Sequence, residues 1–561
     1  MALASTQELI VHDAIVRTTP IGGVDTFADS RRSRTPPLGF VAVVILAAVG
    51  ATAWSAHSHS MLVYGDARAH LDVARHVTDG LRTGLTQLGS VWLPMPHLLL
   101  VPLVAIDPLW HSGAAGAIVS GLAFVYSAVR LFSLIEELTS NRLAAWLGAA
   151  VFVLNLNMLY IQSTPLTEPV LLAFMIGAVY HLALWMRTLS VWELTLAGVL
   201  VFCATLTRYE GWALLVGAIG VVLVWSLSAD RKNKAPEANV AVFTFIGAYG
   251  IVLWLLYNLI IFGNAFYFLS SAYSAQAINE SHAKFAGTKG HIVQSLLTYG
   301  WDVVGVVGPI VLIAGGVSAL GALFIRHERR RTMMVLLLLS VPILFEVASL
   351  YEGQTTIRVP QIFPYGMWND RYGLMALPFC AVAIGVLVAR IKTPSNSRLG
   401  AGVLAGLTEL LLLGRLARWI RPIVAVALGA AIAGGTVLMG LGTPLTLADG
   451  RIGTSSATGG HPEVIAGYLQ HHYRGGEVLA DDSAASPLMF ATDLDLKNFV
   501  TVGFHPFWER ALRNPAGNVR WVLAFPGDRV SADMHAHPGR FRSFHLVVSQ
   551  GAVHLYQEVR A

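Results

Sequence analysis

Blocks of about 20 apolar residues, each as long as a helix needs to cross a hydrocarbon core of roughly 30 Å, recur along the chain from Leu38 to Met439. A chain built this way folds in a bilayer, where spanning helices satisfy their own backbone groups. Composition agrees: 55% of the 561 residues are hydrophobic and 13% charged, against about 45–50% and about 25% in soluble domains. This excludes a soluble enzyme, a disordered chain and an outer-membrane barrel, whose strands alternate every second residue. The two cysteines, Cys203 and Cys380, lie inside apolar blocks, so neither a disulfide framework nor a cysteine metal site is expected.

The net charge of +5 is read loop by loop, because in a polytopic protein excess Lys and Arg reports orientation before it reports nucleic acid. Residues 1–37 form a polar cytoplasmic tail, with Arg31, Arg32 and Arg34 ahead of an uncleaved first helix over 38–56. Further spans are expected near 112–134, 142–160, 167–186, 191–207, 210–228, 239–262, 303–325, 332–350, 372–390 and 423–442, eleven in all. The basic loops at Arg142, Arg187, 230–234, 326–331 and 390–421 then fall on one side. The stretch 399–419, interrupted by Glu409, Arg415 and Arg418, reads as a helix lying on the cytoplasmic surface; were it to span, the tail would change sides. The transmembrane domain is thus 38–442, with outer loops at 57–111, 263–302 and 351–371. Residues 443–561 form a small extracytoplasmic α/β domain with strand-like runs at 477–480, 520–524 and 545–548.

The first outer loop carries the strongest pattern. Arg68, Asp72, Arg75 and Asp79 fall on one helical face and Leu71, Ala74, Val77 and Leu81 on another, which predicts an interfacial amphipathic helix ending at Gly80. Asp66 stands just before it, near the end of the first span, either as a helix N-cap or as a functional carboxylate. Glu168 is either an ordinary acid in a helix's first turn, favoured by the dipole with Thr167 as cap, or a functional carboxylate. Arg208 and Arg371 mark span ends, where an arginine snorkels or holds an anion. Glu346, inside an apolar span, is expected to find an arginine such as Arg358.

Asp66, His70, Ala74 and Gly80 fit the form Asp-x-x-x-His/Tyr-x-x-x-Ala-x-x-x-x-x-Gly. With Pro94-Met95-Pro96-His97, the Thr167-Glu168 loop, Thr207-Arg208-Tyr209-Glu210-Gly211 and Arg371-Tyr372 leading to Pro378, in that order and on one side, the chain resembles the GT-C fold membrane glycosyltransferases. These include the protein O-mannosyltransferases and the lipid A aminoarabinose transferase. It departs from the family in having Glu168 for the commoner Asp, and Arg208-Tyr209-Glu210 for Lys-Gly-Pro. The likeness spans roughly 38–390 and implies an α-helical polytopic enzyme of the EC 2.4 class, multi-pass in a bacterial inner membrane. Its donor would be a sugar on a polyprenyl phosphate and its acceptor a hydroxyl of a glycan, lipid or protein, joined with inversion at the outer face.

By that resemblance Asp66 and Glu168 are catalytic, Arg371 and Arg208 hold the donor phosphate, and His70 and His97 line the substrate; Tyr267 and Trp301, aromatic residues of the loop 263–302, are expected to line it too by stacking on the sugar. Tyr267, Phe268, Tyr273 and Trp301 also fit the aromatic belt of a membrane interface. No cofactor is identified and no residues are assigned to a metal, although a divalent ion is compatible with the family; the histidines at 57, 59, 70, 76 and 97 match no zinc spacing. Membrane lipids are expected as partners besides donor and acceptor, and no nucleic acid is. The competing class is a transporter or flippase of a lipid-linked saccharide, which predicts symmetry between two halves; none is visible. A scaffold whose tail binds a partner would leave Asp66 without a cavity.

Overall fold

A computed structural model describes residues 35–228, 235–271, 274, 287–323, 328–363, 366–390, 443–458, 463–502 and 507–559. The expected span at 423–442, the surface helix at 399–419, the basic run 230–234, Tyr273 and nearly all of the N-terminal tail lie outside these residues. The chain is a polytopic membrane protein. Among the described residues seven helices are long and apolar enough to cross a bilayer: Leu38–His57, Ala114–Thr139, Glu168–Thr188, Glu210–Ser228, Pro236–Phe262, Arg329–Glu352 and Asp370–Arg390.

The first helix shows how these spans divide their faces. Phe40, Val44 and Ala48, spaced four apart, are buried, whereas Leu38, Leu46 and Val49 point outward. The buried stripe meets Ala114–Thr139 and Arg142–Val153, with the Phe40 ring 4.7 Å from Phe132 and 4.9 Å from Trp146. Helix Glu168–Thr188 is buried on nearly every face, so it forms the centre of the bundle and carries Glu168 inside with it. Close approach is made through small residues. A Cβ on Gly148 would stand 2.6 Å from the Ala381 carbonyl, so the helices Arg142–Val153 and Leu377–Arg390 meet backbone to backbone there.

Three expected spans differ. The block at 142–160 stops at Val153, and Asn155 caps a separate short helix, Leu156–Ile161, by accepting from the Met158 amide. The block at 191–207 holds a helix of 15 residues, Val191–Thr205, short of the roughly 20 that a full crossing needs. The block at 303–325 is a corner: helices Ile292–Val307 and Pro309–Ala322 meet at 110°. Gly308 takes φ 89°, which suits glycine, and the proline that follows it disfavours a helical residue at that position.

The C-terminal sheet has strands β1 (Val478–Leu479), β2 (Phe499–Val500), β3 (Trp521–Ala524), β4 (Phe544–Gln550) and β5 (Val553–Glu558) in the order β2-β1-β3-β5-β4. β1 runs parallel to β2 and β3; β5 is antiparallel to β3 and β4. The runs expected at 477–480, 520–524 and 545–548 correspond to β1, β3 and β4. This domain sits on the loop that follows the first span. Leu71, Ala74, Leu100 and Trp110 share one apolar core with Ile465, Val478, Phe490 and Trp521.

The loop helix therefore does not present its charged face to water, as expected of an interfacial helix. Asp72 and Arg75 are buried: Asp72 accepts from the Ser486 hydroxyl at 2.8 Å, and Asp79 accepts from the Leu496 amide at 3.1 Å. The charges that looked like a solvated face are the seam to the C-terminal domain.

Candidate active site

Asp66 lies in the first turn of helix Gly65–Arg75, whose N-cap is Tyr64, and it caps nothing. Its Oδ2 instead accepts from Nη2 of Arg371, which stands in the 3-10 turn Asp370–Ala376. The same guanidinium donates from Nε to Glu168 Oε1 at 2.8 Å. Arg208, between helices Val191–Thr205 and Glu210–Ser228, donates to that same Glu168 oxygen at 3.0 Å, to Thr167 Oγ1 at 3.1 Å and to Glu210 Oε1 at 2.7 Å. Two arginines and three carboxylates from four parts of the chain make one continuous network.

Burial separates their roles. Glu168 is 1% exposed and both arginines are mostly enclosed, whereas the Asp66 side chain is 41% exposed. Two guanidinium groups converging on Glu168 offset the cost of removing its charge from water, and its place at a helix N-terminus helps further. Asp66 holds only one oxygen against Arg371, and its Oδ1 meets no partner among the described residues. Arg371 likewise keeps Nη1 without a hydrogen bond to a described residue. The open carboxylate oxygen and the open guanidinium nitrogen thus belong to one ion pair at the edge of a buried lattice.

Aromatic rings hold the guanidinium planes. Arg371 lies 4.9 Å from the Tyr64 ring and 5.3 Å from Tyr372, and Arg208 lies 4.8 Å from Tyr372 on the same ring. One helical turn beyond Asp66, His70 Nδ1 and His97 Nε2 share a proton at 2.9 Å, and the His70 ring packs 4.2 Å from Trp92. Burial holds the His70 imidazole well below its usual pKa, reinforced by His97, Arg371 and Arg208, so it is neutral at ordinary pH. Among the described residues no three or more His, Cys, Asp or Glu side chains are grouped to hold a metal ion, and Asp66 and Glu168 both have Arg371 as partner.

No family model and no curated sequence matches the chain. Its structure is similar to the crystal structure of ArnT from Cupriavidus metallidurans in the apo state, with a TM-score of 0.53 over 93% of this chain and 98% of that one, at 13% identity. The fold is GT-C. Two structures from Archaeoglobus fulgidus also align with this chain, each with a TM-score of 0.47: an oligosaccharyltransferase tethered to an acceptor peptide, at 10% identity over 87% of this chain and 68% of that one, and the oligosaccharyltransferase AglB in complex with an inhibitory peptide and a dolichol-phosphate, at 11% identity over 93% and 74%.

Within the GT-C bundle, six of the eight residues singled out from sequence come together: Asp66, Glu168, Arg208 and Arg371 through ion pairs, His70 and His97 beside them. The other two do not join them. Tyr267 stacks on Phe262 at 4.7 Å, and Trp301 is 43% exposed on the outer surface of its helix. Glu346 is buried beside Glu210 instead of pairing with Arg358: its span packs against helix Glu210–Ser228, which brings the two carboxyls together. Sequence reasoning passed over Glu210, Tyr64 and Tyr372 as partners. Glu210 had a local signal, two positions after an arginine; the tyrosines had only their adjacency to Asp66 and Arg371.

Proposed function

We propose that this protein is an inverting glycosyltransferase of a bacterial inner membrane, moving a sugar from a polyprenyl-phosphate donor to an acceptor hydroxyl at the outer face. The observation that carries the reading is the Asp66–Arg371 ion pair, with one oxygen and one nitrogen open among the described residues, anchored from behind by Glu168 in a fold shared with ArnT. The acceptor is a glycan, lipid or protein.

Arg371 receives a donor phosphate oxygen on Nη1, a charge-assisted contact of the kind guanidinium groups make best. A phosphate there competes with Asp66 for Arg371, so donor binding loosens the carboxylate that must act next. The acceptor oxygen then attacks the anomeric carbon while the bond from that carbon to the phosphate oxygen breaks, its electron pair leaving with polyprenyl phosphate. The hydroxyl proton passes to Asp66, a general-base contribution of about 10²–10⁴ in rate. Arg371 and Arg208 offset the charge growing on the phosphate. Glu168 keeps both guanidinium groups in place without touching substrate, so it acts as a positioning residue.

The test is turnover of the purified chain with radiolabelled polyprenyl-phosphate sugars and a lipid extract as acceptor. Release of free polyprenyl phosphate coupled to labelled product supports the reading. Donors that stay chemically intact while crossing a vesicle membrane would replace it with the flippase reading.

A further inference from the structure

Arg371 is held from a third direction. The Tyr64 ring beneath its guanidinium is fixed through its hydroxyl, whose one proton is shared between the Thr446 carbonyl and Asp449 Oδ2, the latter at 2.9 Å. The same Asp449 oxygen accepts from the backbone amide of Asp370, the residue that opens the turn carrying Arg371, at 3.2 Å. Asp449 belongs to helix Leu445–Thr458, at the start of the C-terminal region. That helix is itself pinned to the bundle: the amide and hydroxyl of Thr446 both donate to Asn157 Oδ1 at 3.0 Å, and Asn157 donates to the Val306 carbonyl.

We propose that Asp449 is a positioning residue for the donor-phosphate site: its ionised carboxylate ties the Tyr64 ring to the turn that carries Arg371, so the C-terminal region completes the site. The inference rests on Arg371 being the phosphate-binding group. It gives the C-terminal region a role in donor binding besides covering the loop that follows the first span.

The charged and titratable groups facing Asp449 are Arg371 and Asp370 on the turn, Tyr64 and Asp66 from the first loop, Asp302 on helix Ile292–Val307 and Tyr160 on the short helix below. Burial raises Asp449 to about 6, opposed by Arg371 and by its hydrogen bonds to Tyr64 and Asp370. Burial drives the Tyr64 phenol well above its usual value, so it remains a donor throughout. As pH falls through about 6, Asp449 takes a proton and both hydrogen bonds lose their charged acceptor.

Position and simple electrostatics predict opposite signs. A carboxylate that merely lowered the local potential would weaken phosphate binding, so its neutralisation would tighten it; a carboxylate that holds Arg371 in place weakens binding when neutralised. The measurement is the affinity of the full-length protein in detergent for farnesyl methyl phosphate, a phosphodiester whose own charge stays constant through this range, across pH. Wild type should lose about tenfold in affinity as pH drops through about 6, the size of one charge-assisted hydrogen bond reduced to a neutral one.

Asp449→Asn should bind at that weaker level and show no inflection. Tyr64→Phe, which removes one oxygen and keeps the ring, should weaken binding similarly, and it decides the matter if Asp449→Asn does not fold. Either variant binding as tightly as wild type above that pH, or more tightly, overturns the proposal. Arg371→Ala separates the two levels: unchanged binding there removes the phosphate reading itself, whereas lost binding there with intact binding in Asp449→Asn and Tyr64→Phe removes only the role of Asp449.

Discussion

Arg371 donates to Glu168 at 2.8 Å although 203 positions separate them in the chain. The contact joins the turn before a late span to the buried start of the central helix, and it lets one guanidinium face Asp66 with its remaining edge. A lysine can neutralise a carboxylate but has no planar fork to hold two at once.

Arg371→Lys is therefore expected to keep the protein folded and to lower sugar transfer by about 10² or more, the scale of losing one fixed stabiliser of developing charge. Initial rates on labelled donor at equal protein amounts check this. A rate within a few-fold of wild type would mean that charge alone suffices.

Glu168→Ala removes the anion beneath two enclosed guanidinium groups. Breaking a buried ion pair from one side costs about 3–5 kcal/mol, so its thermal unfolding in detergent should move sharply downward. A melting temperature like that of wild type would show that the pairs Arg208 already makes with Glu210 and Arg371 with Asp66 suffice to hold both guanidinium groups.

The seam between the loop helix and the C-terminal domain is pH-sensitive in a defined direction. Burial raises Asp72 from the ordinary 3.8 to about 8, partly offset by the hydrogen bond from Ser486. Between these values the folded state holds a proton that the unfolded chain has lost, so stability falls as pH rises through that window. Asp72→Asn keeps an acceptor for Ser486 and has no proton to lose. It should gain about 1 kcal/mol or more over wild type near about pH 8 and flatten the pH dependence of unfolding.

His97 behaves oppositely. Burial lowers it from 6.5 to about 4. Between those values the unfolded chain binds the extra proton, so stability falls as pH drops. His97→Phe removes this term, and its unfolding temperature should change less than that of wild type on acidification through the same range. An identical acid sensitivity would place the titrating group elsewhere.

Much of this architecture was legible because apolar length is a coarse signal that survives without relatives. The central helix Glu168–Thr188 and the first span read directly from their runs. The breaks did not: Gly308-Pro309 is a visible interruption, but the apolar composition on both sides masks a 110° corner. β2 spans two residues, too few to show a period, and β5 alternates apolar with polar residues only weakly. In the site, Asp66, Glu168, Arg208 and Arg371 were recoverable from the order of motifs, since no local spacing joins residues 305 positions apart. Asp449 carries no motif, and its importance arises only where its helix returns to the first loop. The charged face of the loop helix was visible, but whether water or another domain covers such a face is decided by tertiary packing.

The central claim is that Asp66 takes the acceptor's proton while Arg371 holds the donor phosphate. The most direct test is transfer by Asp66→Asn measured beside its affinity for the polyprenyl-phosphate donor. Transfer should fall by about 10² or more while donor binding is retained or strengthened, because the amide no longer competes for Arg371 as a charge. Wild-type turnover in Asp66→Asn would contradict the account.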